Sequence, residues 1–263
     1  MTPAAVASAG LWPLLSALRQ HRFVDLTHAF DESIPHCESF TPARRITLFS
    51  HTAGEGTLGH GFLAHEYTHA GQWGTHVDPG AHFVDGRRFL DEIPVDEMVL
   101  PLVVIDVREA VRLDPDYCVG LEDVTVWEGR HGRIPSGAFI AMRSGWSERW
   151  PSQSRMMNRD AQGVAHFPGW SQSVLEFLFE RRGARACGHE TTDTDSGLAI
   201  SRGDVSLERY VLDRDAWQIE LLANLDLVPE AGAIVIASWP KPKRGSGFPA
   251  RVFAIVPAAT IPR

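Results

Sequence analysis

The residues best suited to chemistry lie in one stretch from Gln72 to Phe83, which reads QWGTHVDPGAHF. It contains an imidazole at His76, a carboxylate at Asp78 and a second imidazole at His82. Imidazole nitrogens and carboxylate oxygens are the ligands of zinc and of harder divalent metals. A single buried histidine is more often a core residue, but three such groups in a frame rich in glycine and proline predict a metal site. A polar turn whose side chains cap their own backbone is the alternative interpretation.

The local geometry of this stretch supports the metal interpretation. Alternate side chains of an extended segment point to the same face, so Gln72, His76 and Asp78 are expected to project together. Pro79-Gly80 predicts a turn that brings His82 back toward the same pocket. Five of the 12 histidines fall between positions 60 and 82, at 60, 65, 69, 76 and 82, and the first three are expected to be surface or supporting residues.

Three aromatic side chains are candidates for the wall of a substrate cavity. Phe40 precedes the polar stretch, Trp73 lies within it and Trp146 follows it. Flat aromatic side chains pack well against ring substrates. Ordinary core packing explains the same residues equally well.

Composition excludes several classes of protein. The 263 residues are 44% hydrophobic and 22% charged, as in ordinary globular proteins. A net charge of -8 without a basic run argues against nucleic-acid binding. The three cysteines have no CxxC spacing, which indicates a reducing compartment. No apolar run reaches the roughly 18 residues of a membrane span, and we expect a soluble cytoplasmic protein with a small-molecule substrate.

Hydrophobic periodicity predicts a single α/β domain rich in strands, residues 23–263, preceded by an N-terminal arm, residues 1–22. The arm lacks the basic start of a signal peptide, so a short docking helix is expected from Leu14 to Arg19. Strands are predicted at 23–27, 46–49, 100–107, 138–142, 184–188, 217–222, 233–237 and 251–256, and helices at 121–128, 170–182 and 207–212. A basic loop at 241–247 is interpreted as a solvated turn rather than a cover of the pocket.

The motifs resemble those of a known family. GTHVDPGAHF is similar to the HxGTHxDxPxH signature of the cyclase family of metal-dependent hydrolases, which includes bacterial kynurenine formamidase and isatin hydrolase. The resemblance extends over most of the chain. DLTH (25–28), HFPGW (166–170), ETTDTDSG (190–197), IELLANLDL (219–227) and GFPARVFAI (247–255) are each similar to a family segment in the same order.

The resemblance implies a fold and a set of roles. The fold would be the cyclase-like swivelling β/β/α type, a barrel-like β-rich core flanked by helices. His76 and Asp78 would be metal ligands, His82 the general acid and base, and Glu220 a distal ligand or water-positioning carboxylate. Family members also imply a homodimer or homotetramer.

Two positions depart from the family pattern. Gln72 stands where the family has its first ligand histidine, and Glu208 stands where a second-half histidine ligand would fall, so both are candidate ligands. An amide oxygen binds zinc weakly and suits manganese better, so Zn²⁺ or Mn²⁺ is expected. The pattern Q-x3-H-x-D-x3-H is also similar to the branch that acts on dienelactones.

These observations leave three hypotheses on function. The first is metal-dependent hydrolysis of a small cyclic amide or lactone, or of an N-formyl aryl amide, by activated water. The second is a lactonase similar to trans-dienelactone hydrolase. The third is a metal-poor pseudoenzyme that binds a small molecule or serves as a subunit. A serine hydrolase is disfavoured because the sequence has no G-x-S-x-G motif.

Overall fold

The computed structural model describes residues 10–52 and 61–258. The first nine residues of the predicted arm and His60 therefore lie outside the described residues. The helix predicted in the arm is present at Trp12–Leu18, and none of its residues is buried. No helix in the described ranges is both long and apolar enough to cross a membrane.

The regular elements follow the predicted strands closely and add short ones between them. The strands are β1 Arg22–Asp25, β2 Arg44–Phe49, β3 Ala64–Thr68, β4 His76–Asp78, β5 Val99–Asp106, β6 Cys118–Val119, β7 Phe139–Arg143, β8 Gly169–Trp170, β9 Ala186–His189, β10 Trp217–Glu220, β11 Ala233–Ser238, β12 Phe248–Pro249 and β13 Arg251–Val256. The α-helices are α1 Trp12–Leu18, α2 Arg108–Leu113, α3 Leu121–His131, α4 Gln153–Met157, α5 Gln172–Glu176, α6 Gly197–Ile200 and α7 Ser206–Asp213.

One nine-stranded sheet organises the chain, in the order β1-β13-β11-β5-β7-β9-β10-β4-β12. Strands β5, β7, β9 and β10 are parallel, and the strands outside this central group pair antiparallel. The sheet curls into a half-barrel flanked by helices, which confirms the predicted α/β fold. Central parallel strands covered on both faces are near-continuously apolar, as β7 shows with five buried residues.

Alternation along the strands divides the apolar core into two parts. Ile140 and Met142 of β7 face helices α3 and α5 in one cluster. Phe139 and Ala141 point to the opposite face, where they pack with residues such as Trp217 in a second cluster. The sheet thus separates two apolar clusters, one on each face.

The helix predicted at 170–182 is shorter and less regular than expected. Trp170 belongs to the short strand β8, and α5 begins only at Gln172. After Glu176 the chain continues as a π-helix at Phe177–Arg181, and the N–H of Arg182 donates to the carbonyl of Phe177 at 3.1 Å. The apolar residues do recur at helical spacing, but the wider π-helical turn changes the direction of the side chains that follow Glu176.

Candidate metal centre

Two neighbouring antiparallel strands place four polar side chains on one face of the sheet. In the pairing of β4 with β10, His76 lies opposite Glu220 and Asp78 lies opposite Gln218. Residues two apart in a strand share a face, and directly opposed residues are each other's nearest cross-strand neighbours. All four side chains are buried although they are polar. Strand pairing therefore assembles the cluster from segments far apart in the sequence.

The ring of His76 is held in one orientation. Its Nδ1 lies 2.7 Å from the carbonyl oxygen of Gly74, so Nδ1 carries the proton and Nε2 is free to accept. Nε2 lies 3.2 Å from Asp78 Oδ2 and 3.5 Å from Glu220 Oε2. One imidazole nitrogen and two carboxylate oxygens therefore converge on one point.

His82 and Glu208 lie on the other side of Asp78. A 3₁₀ turn at Gly80–His82 brings His82 Nε2 to 3.8 Å from Asp78 Oδ1 and 4.0 Å from Glu208 Oε1. Glu208 lies in the first turn of α7, where Asp195 accepts the backbone N–H of Glu208 at 2.9 Å. The carboxylate of Asp195 thus caps this helix and points Glu208 into the cluster.

Gln72 reaches the cluster by a route that simple strand alternation does not describe. The chain is not extended at Gly74, which has φ +66, a left-handed conformation that favours glycine. The amide nitrogen of Gln72 donates to Asp78 Oδ1 at 3.1 Å and to the carbonyl of Ser246 at 2.7 Å. The Ser246 carbonyl only accepts hydrogen bonds, so the atom of the Gln72 amide that contacts it is the nitrogen. The same nitrogen, rather than the amide oxygen, faces Asp78. The loop at 241–247, interpreted from sequence as a solvated turn, therefore contacts the site.

The donor atoms fit a divalent cation in two overlapping groups. One atom each from His76, Asp78 and Glu220 lies within 4.8 Å of the others, and so does one atom each from Asp78, His82 and Glu208. Asp78 belongs to both groups. The imidazole nitrogens and carboxylate oxygens are of the kinds that Zn²⁺ and Mn²⁺ accept. Buried carboxylates at this density are costly unless cations or protons neutralise them, so the residues present fit a bound metal.

The protonation of the cluster reflects this crowding. Burial raises the pKa values of Glu208 and Glu220 well above the usual range of a glutamate, and repulsion from nearby carboxylates raises both values further. Burial would also raise the pKa of Asp78, but the His76 and His82 rings and the Gln72 amide outweigh it and lower that pKa to about 2. Burial likewise raises the pKa of Asp193 to about 7.

Gln218 and Asp193 also belong to this site, although neither was predicted from the sequence. Gln218 lies at the centre of the cluster, with its amide nitrogen 3.0 Å from Glu208 Oε1. Asp193 lines the cavity beside the ligand candidates. The alternation Q-x-E in the predicted strand 217–222 was a signal for Gln218, because it shares a strand face with Glu220. For Asp193 the only sequence signal was its position in a polar loop that follows a predicted strand.

A cavity of about 400 Å³ opens above the cluster. All six predicted polar site residues line it, and so do the apolar side chains of Phe40, Phe83, Met157, Ile200, Val205 and Leu221. Its volume suits a small ring compound. The structure thus brings together Gln72, His76, Asp78, His82, Glu208 and Glu220 and adds Phe40 from the predicted aromatic wall.

The other two predicted wall residues lie outside this cavity. Trp73 is fully buried, stacks on His36 at 4.2 Å between ring centroids, and therefore supports the cavity wall from behind. Trp146 follows β7, two strands from β10 in the sheet, and donates its indole N–H to the carbonyl of Met156. Substrate contact by these two side chains has no support from their positions.

A buried carboxylate anchors the loop that carries Asp193 and Asp195. Glu190 Oε2 accepts the backbone N–H groups of Ser144 at 2.7 Å, Gly145 at 2.6 Å and Trp146 at 3.2 Å. Its other oxygen accepts the Ser147 hydroxyl at 2.7 Å. Four consecutive residues, Ser144 to Ser147, are thereby held by one side chain of another loop.

Replacing this anchor should destabilise the fold. We expect Glu190→Ala to lower the free energy of unfolding by about 3 kcal/mol, because several buried donors lose their acceptor. Urea denaturation measures the change. Glu148→Ala, at an exposed position of the same loop, should change it by less than about 0.5 kcal/mol. Equal effects of the two substitutions would contradict the anchoring role.

Comparisons with known proteins place this arrangement among relatives. Residues 24–196 match the sequence model of the Cyclase family, described as "Putative cyclase". Isatin hydrolase of Roseibium aggregatum is 33% identical over 191 residues, 71% of this chain and 72% of that protein. Isatin hydrolase A from Labrenzia aggregata, solved with benzyl benzoate, is 31% identical with a TM-score of 0.86, covering 94% of this chain and 99% of that one. An isatin hydrolase bound to the product analogue thioisatinate is 26% identical with a TM-score of 0.85, and the match covers 98% of this chain and 100% of that one.

Proposed function

The chain belongs to the cyclase family of metal-dependent hydrolases, and from this premise we propose that it opens the ring of a small, flat cyclic amide by hydrolysis. The observation that carries the proposal is the convergence of His76, Asp78 and Glu220 at the floor of a cavity of ring-compound size. The similar isatin hydrolases act on a cyclic amide, as their names state. An intact donor cluster also disfavours the pseudoenzyme hypothesis.

The proposed reaction divides the work between cation and protein. A divalent cation held by His76, Asp78 and Glu220 would polarise the substrate carbonyl and lower the pKa of a coordinated water, toward about 7 in favourable zinc sites. His82 is the proposed proton carrier, because it is partly exposed to the cavity and its ring lies 3.8 Å from Asp78 Oδ1. It takes a proton from the attacking water and gives one to the leaving nitrogen.

The remaining cavity residues orient the substrate and exclude water. The rings of Phe40 and Phe83 and the side chain of Met157 line the space above the polar floor. An aromatic lactam packed against them would direct its polar carbonyl to the floor. Ring opening yields a carboxylate and an amine on one molecule, so neither product fragment has to leave before the other.

The donor set favours manganese over zinc in this proposal. His76 supplies one nitrogen, whereas Asp78 and Glu220 supply oxygens. Oxygen-rich sites suit Mn²⁺, while structural and catalytic zinc sites more often contain several histidines or cysteines. Gln72 adds no ligand atom in this orientation, because its amide nitrogen rather than its oxygen faces Asp78.

Removal of the metal tests the proposal directly. We expect dialysis against a chelator to abolish hydrolysis and stoichiometric Mn²⁺ to restore it, with Zn²⁺ restoring less. Elemental analysis and a panel of isatin, simple lactams, N-formylkynurenine and dienelactones measure occupancy and preference. Full activity of protein shown to be free of metal would refute the mechanism. Faster turnover of dienelactones than of lactams would assign the chain to the lactonase alternative.

Assembly and compartment complete the proposal. We propose a homodimer or homotetramer, because Ile46, Leu48 and Tyr67 of the β2–β3 hairpin are exposed and a lone hairpin is marginally stable. Light scattering during gel filtration would detect a monomer if this is incorrect. The unpaired cysteines 37, 118 and 187 support a reducing compartment such as the cytoplasm.

A further inference from the structure

Gln218 is a buried polar side chain that the mechanism above does not use. It lies within β10, is fully buried, and is opposed across the strand pair by Asp78. Glutamine is rarely buried unless both ends of its amide have partners, because an unpaired amide in an apolar interior is costly. The partners of this amide therefore indicate what it does.

The amide nitrogen contacts three carboxylates. Nε2 lies 3.0 Å from Glu208 Oε1, 3.1 Å from Glu220 Oε1 and 3.4 Å from Asp78 Oδ2. An amide nitrogen carries two hydrogens. The two shortest contacts account for both, so Gln218 bridges the carboxylates of Glu208 and Glu220.

Two observations fix which end of the amide faces the carboxylates. The Thr194 hydroxyl donates to Gln218 Oε1 at 2.6 Å on the opposite side. Carboxylates that hold a cation are ionised and only accept hydrogen bonds, so the nitrogen is the end that faces them in the metal-bound protein. Thr194 is itself fully buried, which holds the amide in this orientation.

The bridged carboxylates come from different elements. Glu208 lies in α7 and Glu220 ends β10, and in the described part of the chain Gln218 makes the one hydrogen bond recorded to each of their side chains. The bridge engages Oε1 of Glu220 and leaves Oε2 near His76 Nε2, at 3.5 Å. Without Gln218, no recorded hydrogen bond of the described residues would link these two side chains.

We propose that Gln218 is a positioning residue of the metal centre: it ties the Glu220 carboxylate to that of Glu208, so that Glu220 Oε2 stays directed toward His76, where the cation would bind. This inference rests on the proposed metal-dependent function. Groups that orient metal ligands typically contribute 10- to 100-fold in metal affinity. Gln218 would not itself contact the cation, because its nitrogen, which has no free lone pair, faces the cluster.

The test measures cation affinity rather than turnover. Gln218→Met keeps the length of the side chain and removes both hydrogen-bonding ends. Calorimetric titration of Mn²⁺ into metal-free protein should show affinity weakened about 10- to 100-fold. The electron paramagnetic resonance spectrum of bound Mn²⁺ should also change, because the ligand geometry changes. Gln172→Met is the matched control, since Gln172 donates to Glu176 at 2.9 Å on an exposed surface, and it should leave both readouts unchanged.

A second variant covers failure of the first to fold. Thr194→Val leaves the amide in place and removes the bond that orients it, and it should weaken Mn²⁺ binding by a smaller factor. Wild-type affinity and spectrum in the folded Gln218→Met protein would overturn the inference; if that protein fails to fold, the same result in Thr194→Val would overturn it. Absence of Mn²⁺ binding by the wild type would instead refute the proposed function.

Discussion

Asp78→Ala is expected to remove the bound cation and lower kcat/KM about 1,000-fold or more. Asp78 belongs to both groups of candidate ligands, so neither group is complete without it. Loss of a Lewis acid worth several kcal/mol corresponds to this factor, since each ~1.4 kcal/mol changes a rate tenfold. Steady-state kinetics and elemental analysis of the same preparation measure the two effects together.

A surface carboxylate provides the control for that experiment. Glu109 is exposed and pairs with Arg112, so Glu109→Ala should retain the cation and full turnover. Circular dichroism of Asp78→Ala establishes that the fold is kept, because a buried site also contributes to packing. Hydrolysis at the wild-type rate in an Asp78→Ala protein without metal would exclude the proposed role.

His82→Gln is expected to lower kcat by about 10²- to 10⁴-fold while the cation stays bound. This range is typical for loss of a general acid or base. Glutamine approximates the reach of the imidazole but cannot exchange a proton at neutral pH. Metal content separates this role from ligation, because a ligand would lose the ion as well as the activity.

The control is a histidine outside the cluster. His131 is partly exposed and lies beside Glu230, and His131→Gln should leave kcat unchanged. If His82→Gln loses the cation in proportion to its activity, His82 is a ligand of a second ion beside Asp78 and Glu208 rather than the proton carrier.

The sequence predicted the parts of this site that lie close together in the chain. His76, Asp78 and His82 fall within one short segment, so their types and spacing identify a donor cluster without knowledge of the fold. The buried strands could also be predicted, because β5 and β7 are apolar along most of their length. Fold class and family followed from these elements and motifs together.

Other features depend on contacts that sequence patterns do not contain. Gln218 acquires its place from pairing with a strand whose Asp78 is 140 positions away. The amide of Gln72 is turned by the carbonyl of Ser246, a backbone group without a sequence signature. Trp146 was a candidate for the cavity wall because it is aromatic, but the site is built on β4 and β10, and Trp146 does not line the cavity.

Because His76 lies directly opposite Glu220, the site forms only in one register of the β4–β10 pair. A slip of β4 by one residue along β10 would turn both His76 and Asp78 to the other face of the sheet, where Val77 now packs in the core. Insertions or deletions of one residue between Thr75 and Asp78 should therefore be tolerated far less than in the surrounding loops. We therefore expect insertions and deletions that alter substrate preference to fall in the cavity walls. The candidate ligand positions in β4 and β10 should accept only replacements of one side chain by another.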